Sequence, residues 1–160
     1  SSHAAAPTRR DRQPRGAAGR SRAPVTLYVD TSAQVRIVLG EPGAIDELRR
    51  ADRLISSELL VVRCRRTIDR LQRLGHLPAD EAVTRLELAA AGLEAVDLIL
   101  LRPPTRAGDP MPSPLGTLDA LHLTTALVWR DRMEDTVTLA AHDAELAQAA
   151  WAHGLAVIGV

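Results

Sequence analysis

From residue 25 onward the chain alternates short runs of β-branched and aliphatic residues with stretches of helical periodicity, and few architectures tolerate that alternation. The runs cover residues 25–29, 53–56, 96–101, 136–140 and 155–160. The spacing predicts helices over 33–39, 44–51, 57–74, 79–91, 115–130 and 144–153. Punctuation falls between them: Pro42-Gly43, Gly75, Pro78 and Gly154, with five prolines inside residues 102–114. Strands so short and apolar, each followed by a helix, need cover on both faces. They predict an α/β fold with a mostly parallel central sheet of about five strands flanked by helices. At 160 residues, without an internal repeat, one domain is expected.

Charge divides the chain. All 20 basic residues are Arg, and residues 1–24 carry six of them against one acid, Asp11. The same stretch is rich in Ala, Gly, Pro and Ser without apolar periodicity, so it reads as a disordered Arg-rich N-terminal tail, with the folded domain at 25–160. The rest holds 14 Arg and 19 acids, an acidic body that does not by itself announce a nucleic-acid binder. Absence of Lys removes whole classes of chemistry: P-loop nucleotide hydrolysis, pyridoxal Schiff bases, and the phosphoaspartate sites of receiver domains and haloacid-dehalogenase-like phosphatases. The lone Cys64 cannot form an internal disulfide, and its helical setting reads as packing. No run of about 18 apolar residues is present, and no secretory leader is read; a cytoplasmic protein without membrane contact is expected.

The acids carry the chemical signal. In open parallel sheets, ligands bind beyond the carboxyl ends of the strands. Asp30 directly follows the first strand, Glu58 follows the second, and Asp143 follows the fourth. Asp119 opens the helix after the proline-rich stretch, among Leu118, Ala120, Leu121 and Leu123, where a carboxylate is expected to be largely buried and to need a metal ion or an Arg. Each acid alone also suits helix capping. Four carboxylates without cysteine or spaced histidines favour Mg²⁺ or Mn²⁺ over zinc, and such an ion activates water against a phosphodiester.

Four segments resemble PIN-domain ribonucleases of the VapC toxin type. They are Tyr28-Val29-Asp30-Thr31-Ser32-Ala33, Ser56-Ser57-Glu58-Leu59, Leu118-Asp119-Ala120-Leu121-His122-Leu123, and His142-Asp143-Ala144-Glu145-Leu146-Ala147 with Gly154-Leu155-Ala156-Val157 after it. The resemblance spans residues 25–160 and implies a PIN-like domain. It implies an endoribonuclease that cuts RNA with Mg²⁺ (Mn²⁺ as substitute), held at Asp30, Glu58, Asp119 and Asp143. Asp30 and Asp119 would be direct ligands, with Glu58 and Asp143 acting partly through water. Ala141 and Gly116 depart from the family pattern, where a Ser or Thr and a basic residue are common. The resemblance also implies a homodimer and a VapB-like antitoxin docking near the helices of residues 44–74, where Leu48, Leu59, Val62, Leu71 and Leu74 read mostly as core. Thr31 and Ser32 read as capping residues or as polar neighbours of the site. His122, three residues after Asp119, reads as packing or as a group facing the acids, and His142 and His153 read as exposed. An RNA-processing PIN nuclease and a non-catalytic α/β binding module remain the alternatives.

Overall fold

The computed structural model describes residues 22–101 and 114–160. Most of the expected Arg-rich tail and nearly all of the proline-rich stretch therefore lie outside the described residues. The elements run β1 (Thr26–Val29), α1 (Thr31–Leu39), a 3-10 turn (Asp46–Arg49), β2 (Arg53–Ser57), α2 (Leu59–Arg73), α3 (Ala79–Leu93), β3 (Asp97–Ile99), α4 (Thr117–Met133), β4 (Val137–Ala140), α5 (Ala144–Ala152) and β5 (Ala156–Ile158). The five strands form one sheet in the order β3-β2-β1-β4-β5, and every pairing is parallel.

This order has one reversal. The chain builds outward from β1 through β2 to β3, then returns to lay β4 on the other side of β1. The connections leaving β1 and β4 thus diverge, opening the crevice at which parallel sheets bind ligands. β1 sits in the middle, and all four of its residues are buried. Its side chains alternate between faces. Tyr28 packs with Ile55 and Leu139 against Leu123 and Ala126 of α4 and Leu146, Ala149 and Ala150 of α5. Leu27 and Val29 pack on the other side with Ala33 of α1 and with Ile45 and Leu48. A further layer joins Val38 of α1 to Ile68 of α2 and to Ala82 and Ala89 of α3.

The local chemistry explains the helix starts. Asp30, in extended conformation, accepts from Ser32 N and so caps α1; Gly40, in the left-handed region, closes that helix. Asp143 caps α5 in the same way through Leu146 N.

Three expectations need correction. The helix read over 44–51 reduces to the 3-10 turn, because Leu48 alone in it packs inward and Arg50-Ala51-Asp52 already turns toward β2. Val62 and Leu74 of the supposed core are 56% and 57% exposed. α2 buries only a narrow stripe of Leu60, Cys64 and Ile68, which leaves those two on its outer side. His142 and His153 are half-buried rather than exposed.

Leu139 is fully buried at the centre of the larger cluster. Leu139→Ala is expected to lower unfolding stability by about 2–5 kcal/mol, read as a shift in the urea midpoint at unchanged m-value.

Candidate active site

The acid at the end of the central strand is the most enclosed of the four. Asp30 is 3% exposed. Its Oδ2 accepts from Ser32 N at 2.9 Å and from Ser32 Oγ at 2.7 Å. Its Oδ1 is buried with no hydrogen-bond partner among the described residues. The nearest basic group is His122 Nε2 at 3.9 Å, beyond hydrogen-bonding distance. Burial pushes the His122 pKa below its ordinary value; the opposing pull of Asp30 is second to that desolvation, and Arg63 adds to the depression. His122 is therefore neutral at pH 7, and the contact with Asp30 is not an ion pair.

The other acids arrive by separate routes. Asp119 lies in the first turn of α4 and is half-buried, not deeply enclosed as its apolar neighbours imply. Leu118, beside it, is 44% exposed, so α4 enters the core only from Ala120 onward. The charge of Asp119 is offset by Arg63 of α2, whose Nη1 donates to Oδ1 at 2.8 Å. That is the pairing Arg of the two remedies open to a carboxylate there. Asp143 belongs to the loop after β4, and this loop is tied to the Asp30 turn: His142 N donates to Ser32 Oγ at 2.9 Å. Ser32 thus joins the β1 and β4 exits while holding the Asp30 carboxylate, whereas the capping itself is done by Asp30. Glu58 is drawn sideways; its Oε1 accepts from Leu101 N at 3.2 Å, next to the end of β3.

His122 stands between the two: its ring is 3.9 Å from Asp30, and Asp119 lies one turn before it on α4. Asp143 borders Asp30 through the His142–Ser32 bond, and Glu58 lies at the β2 end of the same sheet edge. No three acidic, His or Cys side chains among the described residues converge as a ready-made ligand cage. A hard cation does not require one: Mg²⁺ is often held by one or two carboxylates and otherwise keeps its water. The all-oxygen donor set, and the bare buried oxygen of Asp30 above all, fit such an ion. Zinc, which favours nitrogen and sulfur, finds only the His122 ring near these acids among the described residues. Cys64 is buried with its thiol pushed up to about 11, chiefly by desolvation, and is no nucleophile.

Residues 27–152 match the family profile described as PIN domain. The chain belongs to the PIN domain family. The match takes in all four acids, from the Asp30 turn to the Asp143 cap, and PIN domains are in general metal-dependent nucleases. No curated protein matches the chain at a significant level. The surroundings of one residue of this PIN domain were not readable in the sequence. His122 is wholly buried and bonded to side chains of β1 and β2. The available signal was its place one turn beyond Asp119, facing a strand that carries a lone Tyr.

The depressed His122 pKa fixes a pH dependence. The unfolded ring, with a pKa near 6.5, takes up a proton before the folded one does. Folding stability is then fully present above about pH 6.5 and is lost as pH falls below it toward the folded pKa. Urea titrations from pH 7.5 to 5.0 are expected to show that decline, and a His122→Gln variant is expected to show a shallower one.

Proposed function

We propose that this PIN domain is a Mg²⁺- or Mn²⁺-dependent endoribonuclease that serves as the toxin of a type II toxin–antitoxin pair. The observation that carries the nuclease reading is the bare, buried Oδ1 of Asp30 at the sheet's reversal point, with His122 between it and Asp119. An uncompensated carboxylate oxygen in that position is costly unless a cation completes it. Asp30 and Asp119 would hold the ion, with Glu58 and Asp143 acting through water. When bound, the ion supplies positive charge for the phosphodiester and lowers the pKa of the attacking water.

The chain's own groups prepare that edge. Ser32 occupies Oδ2 of Asp30, which leaves Oδ1 free to face the site. Arg63 fixes Asp119 and, at 29% side-chain exposure, keeps guanidinium hydrogens available to a phosphate oxygen. The RNA phosphate would otherwise meet an acidic body, so this local cation matters.

Two surfaces support the partner reading. A groove of about 700 Å³ runs along α2 to the start of α4, lined by Leu59, Val62 and Leu118 and by Arg63, Arg66 and Arg70. A mixed apolar and basic groove suits an acidic, amphipathic segment such as that of a VapB-like antitoxin. On α3, Val83 and Leu86 stand three residues apart and are exposed, a strip that suits a second copy of the chain in a homodimer.

Purified protein is expected to cleave single-stranded RNA with Mg²⁺ or Mn²⁺ and to stop on chelation. Asp30→Asn and Asp119→Asn should each lower the rate by about 100-fold or more while the melting temperature stays high. Absence of cleavage with both ions across varied RNAs would sink the nuclease reading. The toxin reading is tested separately: induced expression should arrest growth, the neighbouring gene should encode a small DNA-binding protein, and co-expression of that protein should restore growth. Cleavage without growth arrest points to RNA processing instead.

A further inference from the structure

Asp30 lacks a partner on one oxygen, yet a fully buried histidine stops just short of it. The hydrogen bonds around that histidine determine which of its nitrogens carries the proton. Ser57 N donates to the Tyr28 hydroxyl at 3.0 Å, so that oxygen is already an acceptor. The Tyr28 hydroxyl lies 2.9 Å from His122 Nδ1, within reach to donate its proton there. Burial pushes the Tyr28 phenol up to about 12, which keeps that proton on the oxygen at any ordinary pH. The Ser57 hydroxyl also approaches Nδ1, at 3.3 Å. The Tyr28 and Ser57 hydroxyls can each donate to Nδ1, whereas the Asp30 carboxylate on the other side of the ring can only accept, so the Nε2–H tautomer suits both sides of a neutral ring. Nε2 faces Thr31 Oγ1 at 3.4 Å and Asp30 Oδ1 at 3.9 Å.

We propose that His122, locked by Tyr28 and Ser57 as the Nε2–H tautomer, is the positioning residue that aims and holds the Asp30 carboxylate for a hard divalent cation. This rests on the metal-dependent reading of the site. The reason for a neutral donor is electrostatic. A cationic side chain against Asp30, as Arg63 is against Asp119, would offset the charge that attracts the ion. A neutral N–H 3.9 Å from Oδ1 orients the carboxylate through its dipole without neutralising the charge. Partners that orient a ligand in this way typically contribute about 10–100-fold in metal affinity. The network also links β1, β2 and α4 through side chains that water does not reach, so the orientation is set by the fold and not by the solvent.

The test uses the full-length protein and Mn²⁺ alone. Long-range ¹⁵N–¹H spectra of the wild type should show His122 protonated at Nε2 at pH 7.5. Mn²⁺ affinity is then measured by calorimetry or electron paramagnetic resonance for two isosteres. His122→Gln can place an amide N–H where Nε2 was, and should bind Mn²⁺ within about 3-fold of wild type. His122→Asn reaches only the Nδ1 position, and should bind about 10-fold or more weakly. Tyr28→Phe removes the lock without touching the ring and should let Nδ1–H signal appear. A purely packing histidine predicts equal affinities for the two isosteres, and that equality overturns the proposal. So does a wild-type ring protonated at Nδ1, a result that needs no variant to fold. If wild type binds no Mn²⁺, the metal-dependent reading itself falls; if it binds while the isosteres agree, only the role of His122 falls.

Discussion

A carboxylate nearly cut off from water stands at the end of the strand that has neighbours on both sides. Left alone, Asp30 would oppose folding, because moving a charged group out of water costs several kcal/mol even after relaxation. Its surroundings are organised by that penalty. The turn after β1 offers a backbone N–H and a hydroxyl from Ser32, and the same hydroxyl receives the N–H of His142 from the β4 exit. α1 begins where it does because Asp30 caps it. Across the sheet edge, Tyr28 and Ser57 fix the ring that approaches the remaining oxygen. What is still without a partner among the described residues after all this is a single oxygen of Asp30, at the end of the strand where the sheet order reverses.

The contrast between Asp30 and Asp119 shows two solutions to one problem. Asp119 keeps part of its solvent exposure and takes a permanent guanidinium partner. Asp30 has neither, and its companions are neutral donors. If the proposed cation site is right, such a division suits a pair of acids that must attract an ion and still fold without one. One acid remains hungry for charge while the other is steadied in place.

Much of this was legible in the residues. The strands were readable because Val, Ile, Thr and Tyr cluster in runs too short for anything but a buried sheet, and the caps because Asp30 and Asp143 stand at strand-to-helix junctions. The order of strands was not readable, since nothing local says that β4 returns to the far side of β1; that is decided by packing on both faces. Two of the misreadings share a cause. Leu118, Val62 and Leu74 are apolar yet exposed, so treating hydrophobicity as burial placed Asp119 too deep and made α2 look more enclosed than it is. Exposure of single apolar residues is ordinary on protein surfaces. The hydrogen-bond network around His122 was hidden for a different reason. Its partners Tyr28 and Ser57 lie 94 and 65 residues away, and no window of sequence joins them.

The bond between His142 and Ser32 spans 110 residues, and β1 pairs with β4 over a similar separation. During synthesis, therefore, β1, β2 and β3 can come together while one flank of β1 has no mate. Until the residues of β4 leave the ribosome, the backbone groups along that flank are an open edge, the kind that invites pairing with other chains. Contacts this distant in sequence also form slowly. The acidic edge is consequently assembled among the last parts of the molecule. A chain interrupted before residue 137 would contain Asp30 and Asp119 but lack the strand that brings the Asp143 loop to meet them. The order of emergence thus gives the nascent chain a period in which the site does not yet exist.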